Sequence, residues 1–172
     1  MAAADITQFT QPLSLTPNLL RAVVAGRPDD WLDRRHSSDV FSPREAVAHL
    51  VLCEGYGTWI DRSRKILDPN YAADTDESVS EATLLASRTF ETLLDEFEAL
   101  RATALQQLQA LSLTEADLQI VNATGTCTIG QLLSTWVAHD LYHLGQMFKS
   151  FAATYESEIG PYQRYLNLPH FN

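Results

Sequence analysis

Basic residues are scarce in this sequence. Twelve Lys and Arg stand against twenty-two Asp and Glu, a net charge of −10, and such a field repels phosphate backbones and anionic bilayers. Nucleic acid and membrane surfaces are therefore not expected as partners. Cysteine is equally sparse: Cys53 and Cys127 are the only two, too few for a disulfide framework and without the C-x-x-C spacing of a redox or zinc motif. No stretch is apolar for long enough to span a bilayer. The first residues, M-A-A-A-D-I-T-Q-F-T, have neither the basic start nor the apolar core of a signal peptide, so the expected location is cytoplasmic. Internal repeats, low-complexity tracts and a convincing strand pattern are also missing.

What is present reads as helix. Apolar residues at 45% and charged residues at 20% fit an ordinary globular protein rather than a disordered one. A chain of 172 residues suits one domain over residues 1–172. Four helical segments carry local start and stop signals. The first opens at Thr16-Pro17 and ends at Gly26-Arg27-Pro28, with proline at the first helical position. The second starts at Ser42-Pro43-Arg44-Glu45, a capping box, and runs amphipathically to about Leu67, where Asp68-Pro69-Asn70 stops it. Ser78 with Glu81 repeats the box for a third and longest helix, whose Leu84, Leu85, Thr89, Leu93, Phe97, Leu100, Leu105 and Leu108 recur at helical spacing to about Leu111. Residues 112–127 form a crossing connection, with T-E-A-D able to make a short turn. Thr128 with Gln131 caps the fourth helix, which extends to about Tyr155 before an aromatic tail. The predicted fold is all-α, a four-helix bundle with a longer connection before the last helix.

Histidine falls where it is not expected. Between Ile129, Leu132, Leu133 and Trp136 on one side and Met147 and Phe151 on the other, His139 and His143 occupy the apolar stripe of the last helix. At i and i+4 their rings stand one turn apart on one face, the arrangement of a chelating pair. Each buried ring leaves a polar nitrogen that costs about 1–3 kcal/mol if unpaired; the pair is served either by separate hydrogen-bond partners in the core or by one shared metal. His49 lies on the stripe of the second helix with Ala46, Leu50, Cys53, Gly57 and Ile60, so it too points inward. Three imidazoles and a water make the open shell of a catalytic zinc site. His36, in a loop, and His170, near the end, read as solvated bystanders.

Other chemistry competes for the same residues. H-D-L-Y-H resembles the H-E-x-x-H of zinc peptidases, but Asp140 replaces the glutamate and is a shorter reach to a bound water. A di-iron carboxylate bundle needs paired Glu-x-x-His motifs, and none occurs. Cys53 reads first as a small buried apolar residue; as a thiolate ligand it would close the site and remove its water. Glu54 is placed to approach the same centre, Gln146 to orient a ligand or a bound water as an outer partner, and Asp140 stands beside His139. Trp59, Trp136, Tyr56 and Tyr142 are candidates for a pocket wall over the centre. Cys127 precedes a helix start but reads as a thiol without a role.

S-P-R-E-A-V-A-H-L, a long middle helix, and T-I-G-Q-L-L-S-T-W-V-A-H-D-L-Y-H-L-G-Q-M, in that order, resemble the DinB/YfiT-like family. The ending H-x-x-x-H-L-G-Q is the most specific part. The resemblance implies a four-helix bundle holding one divalent metal by three histidines, matched here by His49, His139 and His143. The ion is zinc or nickel first, with iron or manganese as alternatives. Some members of that family transfer low-molecular-weight thiols such as bacillithiol, mycothiol or glutathione, and others are described as metal-dependent hydrolases. The expected function is thus a metal-dependent transferase using a small thiol as cosubstrate on a small electrophilic molecule. Hydrolysis and a non-enzymatic, metal-stapled binding module are the alternatives. The family also suggests a homodimer.

Overall fold

The computed structural model describes residues 3–56, 59–73 and 78–166. Among them there is no strand; two isolated bridges, Ala3 with Thr114 and Val121 with Thr128, are the only extended pairings. The helices are α1 (Thr7–Val24), α2 (Asp29–Leu32), α3 (Pro43–Gly55), α4 (Trp59–Leu67), α5 (Glu81–Ser87), α6 (Phe90–Ala110), α7 (Ile129–Ala153) and α8 (Glu156–Ile159), with short 3-10 turns at Asp117–Gln119 and Gly160–Tyr165. No helix among the described residues is long and apolar enough to cross a membrane.

Two helix starts fall where their caps predict. Ser42 accepts from the Glu45 backbone N–H while Glu45 reaches back to the Ser42 N–H. Thr128 and Gln131 do the same at α7. Other boundaries differ. α1 begins at Thr7, more than two turns before Thr16, and carries Pro12 and Pro17 inside it. A proline in a helix leaves the carbonyl four residues earlier without its donor. For Pro17 that carbonyl is Leu13, and a side chain from α6 supplies the replacement: Arg101 donates to the Leu13 carbonyl at 2.7 Å.

The second and third predicted helices are each two. α3 ends at Gly55 with Tyr56 leaving helical geometry at φ −117° and ψ 50°, and α4 resumes at Trp59. The capping box of α5 is Ser80 with Thr83, not Ser78 with Glu81. α5 stops at Arg88 in extended conformation, and Thr89, expected inside a continuous helix, caps α6 by accepting from the Thr92 N–H. The apolar stripe continues through both breaks, so periodicity alone did not register them. The T-E-A-D turn is present, with Asp117 accepting from the Thr114 N–H.

α1 packs on α6 and α7, and α3 packs on the same two helices. The interior divides into two apolar clusters. One gathers Leu20, Val47, Leu50, Phe97 and Met147; the other gathers Leu13, Trp59, Leu108, Leu133 and Trp136. Between them lies a buried ionic set. Arg101 of α6 stacks between Phe97 and Trp136, with its guanidinium carbon 4.8 and 5.3 Å from the ring centres. It donates to Glu54 of α3 at 2.6 and 3.0 Å and to Asp140 of α7 at 2.7 and 3.2 Å. With the Leu13 carbonyl of α1, one guanidinium ties together all four of these helices.

Candidate metal centre

His49 lies in the second turn of α3, while His139 and His143 lie one turn apart on α7. The packing of α3 on α7 brings all three rings to one point. Ring centres are 5.2 Å apart for His49 and His139, 4.8 Å for His49 and His143, and 4.5 Å for His139 and His143. The Nε2 atoms of His49 and His139 stand 3.1 Å apart. Cys53, one turn after His49, places its Sγ 3.4 Å from the His49 Nε2, and the donor atoms of His49, Cys53 and His139 all lie within 4.8 Å of one another.

The outer nitrogens settle which way the lone pairs point. A carboxylate only accepts, so the 2.8 Å contact between His49 Nδ1 and Glu81 Oε1 places the proton on Nδ1 and the lone pair on Nε2, facing the centre. The Gln146 amide donates to the Tyr142 hydroxyl at 3.1 Å, which turns its carbonyl oxygen toward His143 Nδ1 at 2.8 Å. His143 therefore carries its proton on Nδ1 and leaves Nε2 unprotonated. Burial, then repulsion from His139 and His49, pushes the His143 pKa down to about 4, so the ring is neutral at neutral pH, the form that binds metals.

His139 has the remaining ambiguity. Its Nδ1 is buried without a hydrogen-bond partner; Asp140 Oδ1 is 3.9 Å away, an ion-pair distance too long for a hydrogen bond. A proton on Nε2 satisfies His49 but strands a bare Nδ1 beside a carboxylate. A proton on Nδ1 faces Asp140 favourably but leaves two lone pairs meeting at 3.1 Å. A cation between the rings removes the conflict. Nitrogens held about 2.0–2.1 Å from a tetrahedral ion stand about 3.3 Å apart, close to the spacing here. A divalent ion fits this set.

Gln146 orients His143, an outer-partner position. Glu54 and Asp140 are committed elsewhere: Glu54 accepts from Arg101 and from the Trp136 indole at 3.2 Å, and Asp140 accepts from Arg101 and from the Thr16 hydroxyl at 2.7 Å. Burial raises the Glu54 pKa even against Arg101. Burial also pushes on Asp140, but His139, Arg101 and Thr16 together hold its pKa below the usual carboxylate value. These two acids thus form a buried layer behind His139 rather than part of the donor cluster.

Cys53 is half-buried, and burial, then Glu81, pushes its thiol up to about 11. The Trp59 ring meets the edge of His139 at 5.3 Å and stacks on Trp136 at 5.8 Å; Tyr142 packs edge-on to His143 at 5.3 Å. Tyr56 instead donates to Glu96. Phe41, not foreseen from the sequence, stands against His49 and His143. The sequence marks Glu81 only as a cap; because Ser80 and Thr83 close the box by themselves, its carboxylate is left to reach His49. His36 is buried, contrary to the expectation of a solvated ring, because the loop after α2 folds it inward. Cys127 donates to the Thr128 carbonyl. His170 and Gly57 lie outside the described residues.

The helical fold, its order of elements and the histidine cluster point one way. The sequence model of the DinB superfamily matches residues 13–147, a span containing His49, Cys53, Glu81, His139, His143 and Gln146. The chain belongs to the DinB superfamily. No curated protein matches it.

Proposed function

We propose that this chain is a metal-dependent enzyme that transfers a low-molecular-weight thiol to a small electrophilic molecule, with one divalent ion on His49, His139 and His143. The observation that carries the reading is the meeting of three imidazoles from two helices beside the Cys53 sulfur. Bound there, a divalent ion supplies Lewis acidity, lowering the pKa of a water or thiol so that a nucleophile exists at neutral pH. Glu81 and Gln146 fix the tautomers of His49 and His143, an outer arrangement that orients ligands and raises their basicity. Arg101, Glu54 and Asp140 hold α3 and α7 at the spacing the cluster needs. His49 and His139, with side chains 23% and 19% exposed, keep the centre reachable, and Trp59, Phe41 and Tyr142 give an apolar wall for a small substrate.

In the same reading the chain is one domain and a four-helix bundle, with α3–α4 and α5–α6 as broken second and third members. It works in the cytoplasm as a homodimer on a small-molecule substrate. The ion is zinc or nickel before iron or manganese, since imidazole suits the borderline metals. A second reading, a metal-stapled binding module, is favoured by the proximity of Cys53, because a shell filled by protein atoms is the mark of a structural ion. The test is a screen of bacillithiol, mycothiol and glutathione against chlorinated and epoxide electrophiles, with metal-loaded and metal-free protein. Turnover that requires metal and thiol together supports transfer. Ester or amide hydrolysis without thiol replaces it with hydrolysis, and no turnover with a non-exchanging ion replaces it with the binding module. Sedimentation at a strict monomer mass would remove the dimer.

A further inference from the structure

Two helices each present a pair of donors at i and i+4. On α7 the pair is His139 and His143; on α3, packed against it, the pair is His49 and Cys53. Residues so spaced share one helix face, one turn apart. The donor atoms of three of these residues, His49, Cys53 and His139, lie within 4.8 Å of one another, and the His143 ring centre is 4.8 and 4.5 Å from those of His49 and His139; a tetrahedral ion requires four donors.

We infer that Cys53 is the fourth protein ligand of this centre, so that the resting shell is three imidazoles and one thiolate. This rests on the metal-binding part of the reading above and not on thiol transfer. The distances support it. A nitrogen about 2.0–2.1 Å and a sulfur about 2.3 Å from one tetrahedral ion stand about 3.5 Å apart, and Cys53 Sγ is 3.4 Å from His49 Nε2. The same contact without metal is a thiol donating to the inward lone pair of His49; ligation replaces the S–H bond by a sulfur–metal bond and releases that proton to solvent. No other cysteine competes, since Cys127 sits beside Thr128, before α7 begins.

The consequence is chemical. A thiolate in the shell favours zinc and other soft or borderline ions over manganese, and it fills the position an incoming thiol needs. An external thiol would therefore compete with Cys53 for the ion.

Cobalt(II) reports this directly, because a sulfur ligand gives it a near-ultraviolet charge-transfer absorption that imidazole and water do not. Full-length metal-free protein is titrated with cobalt(II), alongside Cys53→Ala, the smaller change Cys53→Ser, and Cys127→Ala. The expected result is one cobalt per chain with the sulfur band in the parent and in C127A, and loss of the band in C53A and C53S with unchanged helical dichroism. Parent protein that binds cobalt without the band, or C53A that retains it, overturns the inference and leaves the three-histidine site standing. Failure of every variant and the parent to bind cobalt overturns both. Addition of 2-mercaptoethanol to cobalt-loaded C53A should restore the band; if it does not while the parent shows one, Cys53 remains the ligand and thiol transfer is the reading that falls.

Discussion

Replacing Arg101 by methionine probes what holds α3 and α7 together. The side chain is 2% exposed, and its partners Glu54 and Asp140 are 1% and 2% exposed, so the substitution leaves two carboxylates in the interior without a counter-charge. Breaking a buried ionic set by removing one member costs about 3–5 kcal/mol. The Leu13 carbonyl, already deprived of its helical donor by Pro17, loses its substitute as well, an unpaired buried acceptor of about 1–3 kcal/mol. These losses overlap, since the chain relaxes once, so the expected total is about 4–6 kcal/mol. For a chain of this length 1 kcal/mol moves the melting temperature by about 2–4 °C, which places the drop at about 10–20 °C. Thermal unfolding of metal-free protein followed by dichroism measures it without interference from ligand binding. Asp140→Asn supplies the control: in that background R101M strands one charge fewer, and the further loss should be smaller by 1 kcal/mol or more, about the coupling expected of side chains in one network. A drop under about 3 °C, or strict additivity of the two changes, would refute the argument that the guanidinium is the buried tie.

Three other outcomes follow from the same structure. Glu81→Ala should weaken metal binding by about 10–100-fold, with Glu81→Gln between it and the parent, as read by competition with a chelating dye; equal affinities would mean that the contact with His49 is incidental. Burial first, then Lys149, lowers the pKa of His36 below 6.5, so the unfolded chain takes up that proton at higher pH than the folded one. Stability from this ring is intact above about pH 6.5 and falls as the pH drops through that value, and His36→Gln should flatten the fall in urea midpoint across that window. Arg21 makes the opposite case to Arg101: it pairs with Asp95 and Glu98 on exposed surface, and Arg21→Ala should cost under about 1 kcal/mol in the same melts.

Much of this is legible in the sequence alone. Ser42 with Glu45 and Thr128 with Gln131 are reciprocal caps whose partners lie three residues apart, so local sequence decides them. The inward direction of His49, His139 and His143 follows from periodicity, because a helix face is a property of one segment. The breaks were hidden for the same reason: at Tyr56 and at Arg88–Thr89 the apolar stripe resumes in phase, and Thr89 reads as a stripe position until its hydroxyl is seen capping Thr92. α1 starts early because Asp5 accepts from the Thr7 N–H and Arg101 repairs the gap left by Pro17, and neither signal resembles a standard cap. The buried role of Arg101 depends on partners 47 and 39 residues away. Glu81 becomes an outer partner of His49 only when α5 lies against α3. Long-range contacts of this kind leave no local trace.

Metal stoichiometry and affinity in protein purified without a histidine tag decide whether His49, His139 and His143 hold an ion. Metal-free chain titrated with zinc, and separately with nickel, should take up one ion per chain with tight affinity. The double substitution of His139 and His143 by alanine should abolish tight uptake while the helical dichroism persists. Full uptake by that variant would place the ion elsewhere and contradict the account.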